Sequence, residues 1–254
     1  MLNIAEIAHK YCLGSYEAWA FSRLLSLADT PKSFIRTASP TLCARALDIA
    51  YLSNHPRIFE VIQQRLVARV LWTDMDRTPI RKVAEGRGLD RLRGVVYYRD
   101  LVDWEGAALD SALKAKKGPP KSTCLPPLPL SSSPSQYPSM SSHSFLSAHQ
   151  SLLNLWERTR LQAPIFNTGS CCSSHESCVA VWERLWVEAS GSSRVLSYGS
   201  VDVLGRLREM MIQLQKLAPE TAGITLGCSL NALESVTALR EEIVDEFFGF
   251  FHPR

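Results

Sequence analysis

The 254-residue sequence lacks a long hydrophobic run, since no stretch approaches the roughly 18 uncharged apolar residues that a membrane-spanning helix needs. The N-terminus also lacks the pattern of a secretory signal, because Glu6 interrupts its apolar residues and no basic region precedes them. The seven cysteines are an odd number and mostly scattered. We therefore expect no membrane partner, mostly free thiols and a reducing compartment, which means the cytosol or the nucleus.

The sequence also lacks the common catalytic motifs. It has no glycine-rich phosphate loop, no G-x-S-x-G and no pair of carboxylates whose spacing suggests acid–base chemistry. His9 and Cys12 lie three residues apart on a predicted helix and could touch, but no group that would orient a catalytic base or bind an oxyanion lies near them in sequence. We interpret both as structural residues. We expect no enzyme activity and no small-molecule ligand.

What the sequence does contain is helical periodicity. Residues 2–28 predict one amphipathic helix or two short ones. The apolar face comprises Leu2, Ile4, Ile7, Ala8, Tyr16, Trp19, Ala20, Leu24 and Leu27. A central stretch, residues 58–104, predicts three further short helices. In that stretch Thr78 suits an N-cap and Gly88 suits a helix end. The prediction is an all-α fold.

The second half of the chain continues the pattern after a break. Trp182 and Trp186 fall at core spacing on a predicted helix that starts near Glu176, and Asp202 can cap the next helix. The last predicted helix runs from about Ser229 to Phe250. It ends in a run of phenylalanines (247–251) that is too apolar to be wholly exposed, so we expect the run to pack on the body or on a partner.

Residues 114–144 break the periodicity. This segment begins with lysines and is filled with prolines and serines, a composition that buries too little apolar surface to offset the entropy of ordering. We therefore predict two blocks of stacked, repeat-like short amphipathic helices, residues 1–113 and 145–254, joined by a disordered Pro/Ser-rich linker, residues 114–144.

Basic residues are concentrated in one place. The cluster comprises Arg77, Arg81, Lys82, Arg87, Arg91, Arg93 and Arg99. We interpret it as the solvated face of surface helices, because no aromatic residue stands among these arginines before Tyr97 to stack on bases. A basic nucleic-acid-binding module that uses Arg77 to Arg99 is the alternative function.

One cluster of residues could bind a metal. Cys172, His175 and Cys178 have C-x2-H-x2-C spacing, and Cys228 could be brought in by the fold as the fourth ligand of a tetrahedral zinc ion. Structural zinc sites usually show two such pairs and this chain shows one. We therefore interpret the cluster as unpaired cysteines beside a helix start, with no cofactor, and keep zinc as the alternative.

Several segments resemble the region that follows the BTB/POZ fold in BTB-domain proteins of mushroom-forming fungi. These segments are Ile7–Ala20, Arg65–Val67 with Leu71–Trp72, Val83–Leu89 and Leu92–Tyr98. The resemblance spans most of residues 1–104, with weaker echoes in 145–251. It implies a BTB fold upstream of Met1, and the dimerisation and cullin binding that it implies belong to that fold and to no residue here.

From these observations we expect a non-catalytic protein–protein interaction scaffold. It would be the accessory part of a BTB-type adaptor, and the sequence leaves open whether the chain is a truncated gene product. The sequence does not identify the protein partner.

Overall fold

The computed structural model describes residues 1–30, 33–116, 142–169, 172–218 and 221–252. Within these ranges every regular element is a helix, which confirms the predicted all-α class. No helix of the described part is long and apolar enough to cross a membrane. The chain divides into two compact units, Met1–Arg99 and Asp100–Arg254.

Unit 1 contains five helices, a short 3-10 turn and the start of a sixth helix. The helices are α1 Leu2–Lys10, α2 Gly14–Asp29, α3 Pro40–Leu52, α4 Pro56–Trp72, α5 Thr78–Arg87 and α6 Asp90–Lys116, with the 3-10 turn at Phe34–Arg36. The first helix packs on α2 and α3, while α3 also packs on α4 and α5. This arrangement is the stack of short helices that the periodicity predicted.

The caps of unit 1 follow local chemistry. Ser39 caps α3, since its hydroxyl accepts the Leu42 N–H at 3.2 Å. Gly88 ends α5 in the left-handed conformation (φ 63°) that favours glycine, as predicted. Thr78, however, is the first residue of α5 and not its cap. The Asp76 carboxylate instead accepts the Thr78 N–H at 3.0 Å, one of the free donors at the start of α5.

The N-terminal helices bury only part of the apolar face that was predicted. Ala5 and Ala8 of α1 and Ala20 of α2 are buried, together with Phe21 and Leu24. Small side chains at the contact let two helix backbones approach closely, so the larger neighbours turn outward. The prediction is confirmed at Leu2, Ala8, Ala20 and Leu24, which are buried. It is wrong at Ile4, Ile7, Tyr16, Trp19 and Leu27, which are exposed.

Arg69 holds α4 to the 3-10 segment. Its Nη1 donates to the backbone oxygens of Ile35 and Ala38, the latter at 2.8 Å. The same atom lies 3.2 Å from the sulfur of Cys43, which is fully buried. Burial raises the pKa of the Cys43 thiol, and Arg69 opposes that rise. The Arg69 guanidinium thus donates hydrogen bonds to backbone oxygens of a short irregular segment, which would otherwise be buried without a strong donor.

Unit 2 contains the rest of α6 and five more helices. They are α7 Ser142–Leu161, α8 His175–Ser190, α9 Ser193–Leu196, α10 Val203–Leu217 and α11 Leu226–Phe251. Each of α7, α8, α10 and α11 packs against the other three. Trp182 and Trp186 lie in this core as predicted, and the helix end contributes the buried Phe247 and Phe251. Asp202 caps α10 by accepting the Gly205 N–H at 2.9 Å.

The predicted linker is shorter in the structure than its composition suggested. Residues 114–116 end α6 and residues 142–144 begin α7, so both ends of the predicted segment are helical. Residues 117–141 lie outside the described part of the chain. The predicted disorder is therefore wrong for residues 114–116 and 142–144, and for residues 117–141 it stays a prediction.

The division between the units falls inside α6 and not at residue 113. The Trp104 ring meets the Phe145 ring edge-on at 5.3 Å, which ties the second part of α6 to α7. Glu105 accepts the backbone N–H of Val201 at 3.1 Å. The last turns of α6 thus belong to unit 2, because their packing partners come from that unit.

Candidate functional site

Three elements of unit 2 bring the cysteine cluster together. Cys172 lies in the loop that joins α7 to α8. His175 is the first residue of α8 and Cys178 follows one turn later. Cys228 is the third residue of α11. The site therefore joins one loop to the starts of two helices, and we call these four residues the Cys–His cluster.

The three sulfur atoms of the cluster converge. The Sγ atoms of Cys172, Cys178 and Cys228 all lie within 4.8 Å of one another. Cys172 Sγ and Cys178 Sγ are 3.6 Å apart, and all three thiols are free of disulfides. Cys178 and Cys228 are buried, and Cys172 is half-buried. The sequence was interpreted as a loop of unpaired cysteines beside a helix start, and that interpretation does not explain why Cys228 lies next to Cys172 and Cys178.

His175 stands at the edge of this group. Its Nδ1 lies 3.6 Å from Cys228 Sγ. The imidazole ring is half-buried and meets the Phe166 ring edge-on at 5.1 Å. Each of the four residues that the sequence singled out therefore lies close to at least one sulfur atom of the others.

The backbone around Cys228 is fixed by local contacts. The Thr225 hydroxyl caps α11 by accepting the Cys228 N–H at 3.3 Å. The Gly169 N–H donates to Cys228 Sγ at 3.2 Å. A Cβ atom at position 169 would lie 2.3 Å from the backbone nitrogen of Cys228, so the loop can approach α11 this closely only as glycine. Asn231 holds the same loop by donating its side-chain amide to the Asn167 carbonyl at 3.0 Å.

The environment of Cys228 favours its thiolate. Burial raises the pKa of the thiol, but hydrogen bonds from Thr225, Gly169, His175 and Cys172 together lower that pKa to about 6. A helix N-terminus acts in the same direction, because its free N–H groups favour negative charge. Cys228 is therefore the thiol of the cluster best prepared to ligate a metal.

Cys172 differs from Cys228 in this respect. Burial raises the pKa of its thiol, and so do its contacts with Cys228 and Cys178, while a backbone hydrogen bond at Ser174 opposes the rise. One thiolate at Cys228 thus makes a second one at Cys172 harder to form. A cation between the sulfurs would remove that conflict.

Three arginines of the basic cluster form ion pairs with carboxylates of unit 1. Arg87 Nε lies 2.7 Å from Asp48 Oδ1, and Arg99 Nη2 lies 3.4 Å from Asp74 Oδ1. Arg93 pairs with Asp90 at 3.0 Å within α6. Tyr97, the first aromatic residue that follows Arg77 in the cluster, is buried and donates its hydroxyl to Glu85 at 2.9 Å. These pairs weigh against the use of the cluster as a phosphate-binding surface.

His9 and Cys12 do not share a helix face. The first helix ends at Lys10, and Cys12 lies beyond it with a φ of 55°, so the prediction of a shared face is wrong. His9 Nδ1 instead lies 2.8 Å from Glu17 Oε1 on α2. Sequence reasoning missed this carboxylate, because the turn between α1 and α2 brings together residues that no helical spacing relates.

The first two helices carry an unexpected apolar surface. Ile4, Ile7, Tyr11, Tyr16 and Trp19 are each between 37% and 64% exposed. We call these five side chains the N-terminal apolar surface. Isolated exposed apolar residues are common, whereas large exposed apolar patches mark interaction sites. We therefore treat these five side chains as a candidate interaction surface.

No protein-family model, no curated protein and no solved structure matches this chain.

Proposed function

We propose that this chain is a non-catalytic scaffold that binds a partner protein through the N-terminal apolar surface. The observation that carries the proposal is the exposure of Tyr11, Tyr16 and Trp19, each 45% or more exposed. Tyrosine and tryptophan supply much of the binding energy at protein interfaces, because a large ring is buried at little cost in side-chain entropy.

Charge defines the partner further. Two of the three acidic residues of these helices are paired, Glu6 with Arg45 and Glu17 with His9, while Asp29 at the end of α2 is exposed. Lys10 and Arg23 remain exposed on the same two helices. Unit 1 as a whole carries 15 Lys and Arg against 9 Asp and Glu. The fitting partner is a protein surface with an apolar centre and acidic residues at its edge.

The test is a photo-crosslink from the full chain in extract of the source organism. A photoreactive phenylalanine replaces Trp19, and a control replaces Ile165, which is 90% exposed in unit 2. We expect a defined heterologous product only from position 19, and mass spectrometry should map it to an apolar segment flanked by Asp or Glu. A dimer of this chain as the sole product, or the same products from both positions, contradicts the proposal.

A second step separates specific binding from adhesion. The partner is purified and titrated with the full chain and with Trp19→Glu, Lys10→Glu and Arg23→Glu. Trp19→Glu should abolish binding, and each charge reversal should weaken it about tenfold, which corresponds to about 1.4 kcal/mol. Far-UV circular dichroism checks that the variants remain helical. Equal affinity for wild type and Trp19→Glu overturns the proposal.

The finer part of the proposal is that this scaffold is the accessory region of a BTB-type adaptor. It is supported by the resemblance of Ile7–Ala20 to the region after the BTB fold, because that segment also carries Tyr11, Tyr16 and Trp19 of the N-terminal apolar surface. Sequencing the transcript upstream of Met1 tests it. An in-frame segment that encodes a BTB fold supports this assignment, and an in-frame stop codon immediately before Met1 contradicts it.

A further inference from the structure

We propose that Cys172, His175, Cys178 and Cys228 form a structural zinc site. Three thiolates and one imidazole are a ligand set that zinc takes in closed, four-coordinate sites. Thiolate ligands also disfavour magnesium and calcium, which take oxygen ligands. The proposal concerns unit 2 and is independent of the surface on α1 and α2.

Two distances within the cluster match those of a tetrahedral zinc shell. Zinc–sulfur bonds of about 2.3 Å at tetrahedral angles place two thiolates about 3.8 Å apart, and a thiolate and an imidazole nitrogen about 3.6 Å apart. Cys172 Sγ and Cys178 Sγ are 3.6 Å apart. Cys228 Sγ and His175 Nδ1 are also 3.6 Å apart. Two opposite edges of the expected tetrahedron are thus already present.

The remaining sulfur–sulfur edges are slightly open. Cys228 lies within 4.8 Å of both other sulfurs, so a shift of about 1 Å or less brings each pair to the spacing of a zinc shell. Cys172 comes from a loop and is half-buried, so it is the ligand with the most freedom to make that shift. The helix residues Cys178 and Cys228 are held by their own helical turns.

The charges balance as follows. Zinc binds thiolates, so each thiol that is protonated beforehand releases its proton to solvent, and zinc with three thiolates and a neutral imidazole carries a net charge of −1. This charge lies at the first turns of α8 and α11, where free backbone N–H groups favour an anion. No oxidant or reductant takes part.

Four protein ligands leave no open coordination position, so the site is structural and not catalytic. Its effect is to join the loop after α7 to the starts of α8 and α11. Zinc binds only the folded arrangement of these segments, so binding stabilises unit 2 by mass action.

The first experiment uses the full wild-type chain, kept reduced and freed of metal by a chelator. Zinc is titrated against a chromophoric competitor to obtain its stoichiometry and affinity. We expect one zinc per chain and a rise in the Tm with added zinc. Cobalt(II) in place of zinc should give sulfur-to-metal charge-transfer absorption with an intensity expected for three thiolates, together with the visible bands of a tetrahedral ion.

The second experiment compares variants. Cys178→Ser and Cys228→Ser should each lower zinc affinity by at least about 100-fold, since even a lost second-shell partner costs 10- to 100-fold. Cys12→Ser is the matched control, because Cys12 is exposed in unit 1 and should leave affinity unchanged. His175→Ala should weaken binding and alter the cobalt bands while keeping the charge-transfer absorption. Circular dichroism shows whether each variant folds. If the serine variants do not fold, the cobalt spectrum of the wild type tests whether three thiolates bind the metal.

Several results would overturn the proposal. One is a wild-type chain that binds no zinc at micromolar concentration. Another is a Cys228→Ser variant that folds and binds zinc as wild type does. Zinc affinity and cobalt bands that are unchanged in His175→Ala would show that His175 is not a ligand, so that the site would not be a closed four-ligand shell. A Cys172–Cys178 disulfide in protein isolated without added oxidant would assign the cluster to redox pairing instead.

Discussion

The backbone N–H of Val201 donates to the Glu105 carboxylate at 3.1 Å, across 96 positions of sequence. The Ser200 hydroxyl donates to the other carboxylate oxygen, and His149 Nε2 lies 3.9 Å from it. Glu105 is only 8% exposed. A buried carboxylate with these partners holds the last turns of α6 to the loop before α10, which is why the chain divides within a helix.

Removing this carboxylate should destabilise unit 2. Glu105→Ala leaves the Ser200 hydroxyl and the Val201 N–H without their acceptor, so the free energy of unfolding should fall by about 2–4 kcal/mol. Urea denaturation followed by tryptophan fluorescence measures the change. Asp110→Ala on the same helix is the control, because Asp110 is exposed and its loss should cost less than about 0.5 kcal/mol. Equal effects of the two substitutions would contradict the assigned role.

Gly199→Ala should act through the same carboxylate. An added Cβ would lie 2.5 Å from Glu105 Oε2, so the carboxylate must move away from its donors, at a cost of about 1–3 kcal/mol. Because the clash needs Glu105, the cost should largely disappear when Gly199→Ala is combined with Glu105→Ala. Strict additivity in this double-mutant cycle would show that the two sites do not interact.

Gly106 offers a control of opposite sign for that cycle. It lies within α6 and an added Cβ would meet nothing within 4 Å, so Gly106→Ala should stabilise the chain by about 0.5–1 kcal/mol. A destabilising Gly106→Ala would indicate that alanine is harmful along this helix for reasons other than the clash.

Arg69→Met should destabilise unit 1. The variant keeps the apolar stem but leaves the carbonyls of Ile35 and Ala38 with only the long contacts of the Cys43 thiol at 3.7 and 4.0 Å. We therefore expect a loss of about 2–4 kcal/mol in urea denaturation. Arg65→Met, one turn earlier on α4, is the matched control. Arg65 makes one exposed 3.4 Å bond to Asp29, so its loss should cost less than about 1 kcal/mol.

Gly169→Ala should weaken zinc binding as well as stability. The added Cβ would overlap the backbone of Gly227 and Cys228, so the loop must move away from α11 and carry Cys172 with it. We expect at least a tenfold loss of zinc affinity in the competitor titration. Gly191→Ala is the control, since its Cβ would meet nothing closer than 3.6 Å and should leave zinc affinity unchanged.

Nucleic acid should bind weakly and without specific use of the arginines. Arg87, Arg93 and Arg99 already face carboxylates, so a phosphate would have to displace Asp48, Asp90 or Asp74. Duplex DNA and single-stranded RNA titrated at rising salt should give no affinity that Arg87→Ala and Arg99→Ala reduce. Tight binding that falls steeply with salt and is lost in both variants would favour the alternative function.

Helical periodicity predicted the parts of the fold that depend on local pattern. Trp182 and Trp186 lie in the core and Asp202 caps α10, because side chains at core spacing and caps act within a turn or two of their own backbone. Periodicity failed at Tyr16 and Trp19. A helix with alanines beside large apolar residues has two possible buried faces, and only the partner helix decides between them.

Contacts between residues far apart in sequence could not be predicted either, because they depend on how the helices pack. The spacing of Cys172, His175 and Cys178 is local and could be read directly, whereas the convergence of Cys228 depends on how α11 packs. Glu105 gave no signal at all, since its donors lie in a loop about 95 residues away. The Pro/Ser-rich composition indicated a break after residue 113. It could not show that the packing partners of α6 change earlier, between Arg99 and Asp100.

The position of α6 across the two units has a consequence for the order of synthesis. A ribosome that adds about 5–20 residues per second reaches Val201 roughly 5–20 s after Glu105. Unit 1, which ends at Arg99, can fold during that interval, whereas the following turns of the same helix must wait for their partners. Over that interval Trp104 and Glu105 lack the packing partners of the folded chain and are accessible to chaperones and proteases.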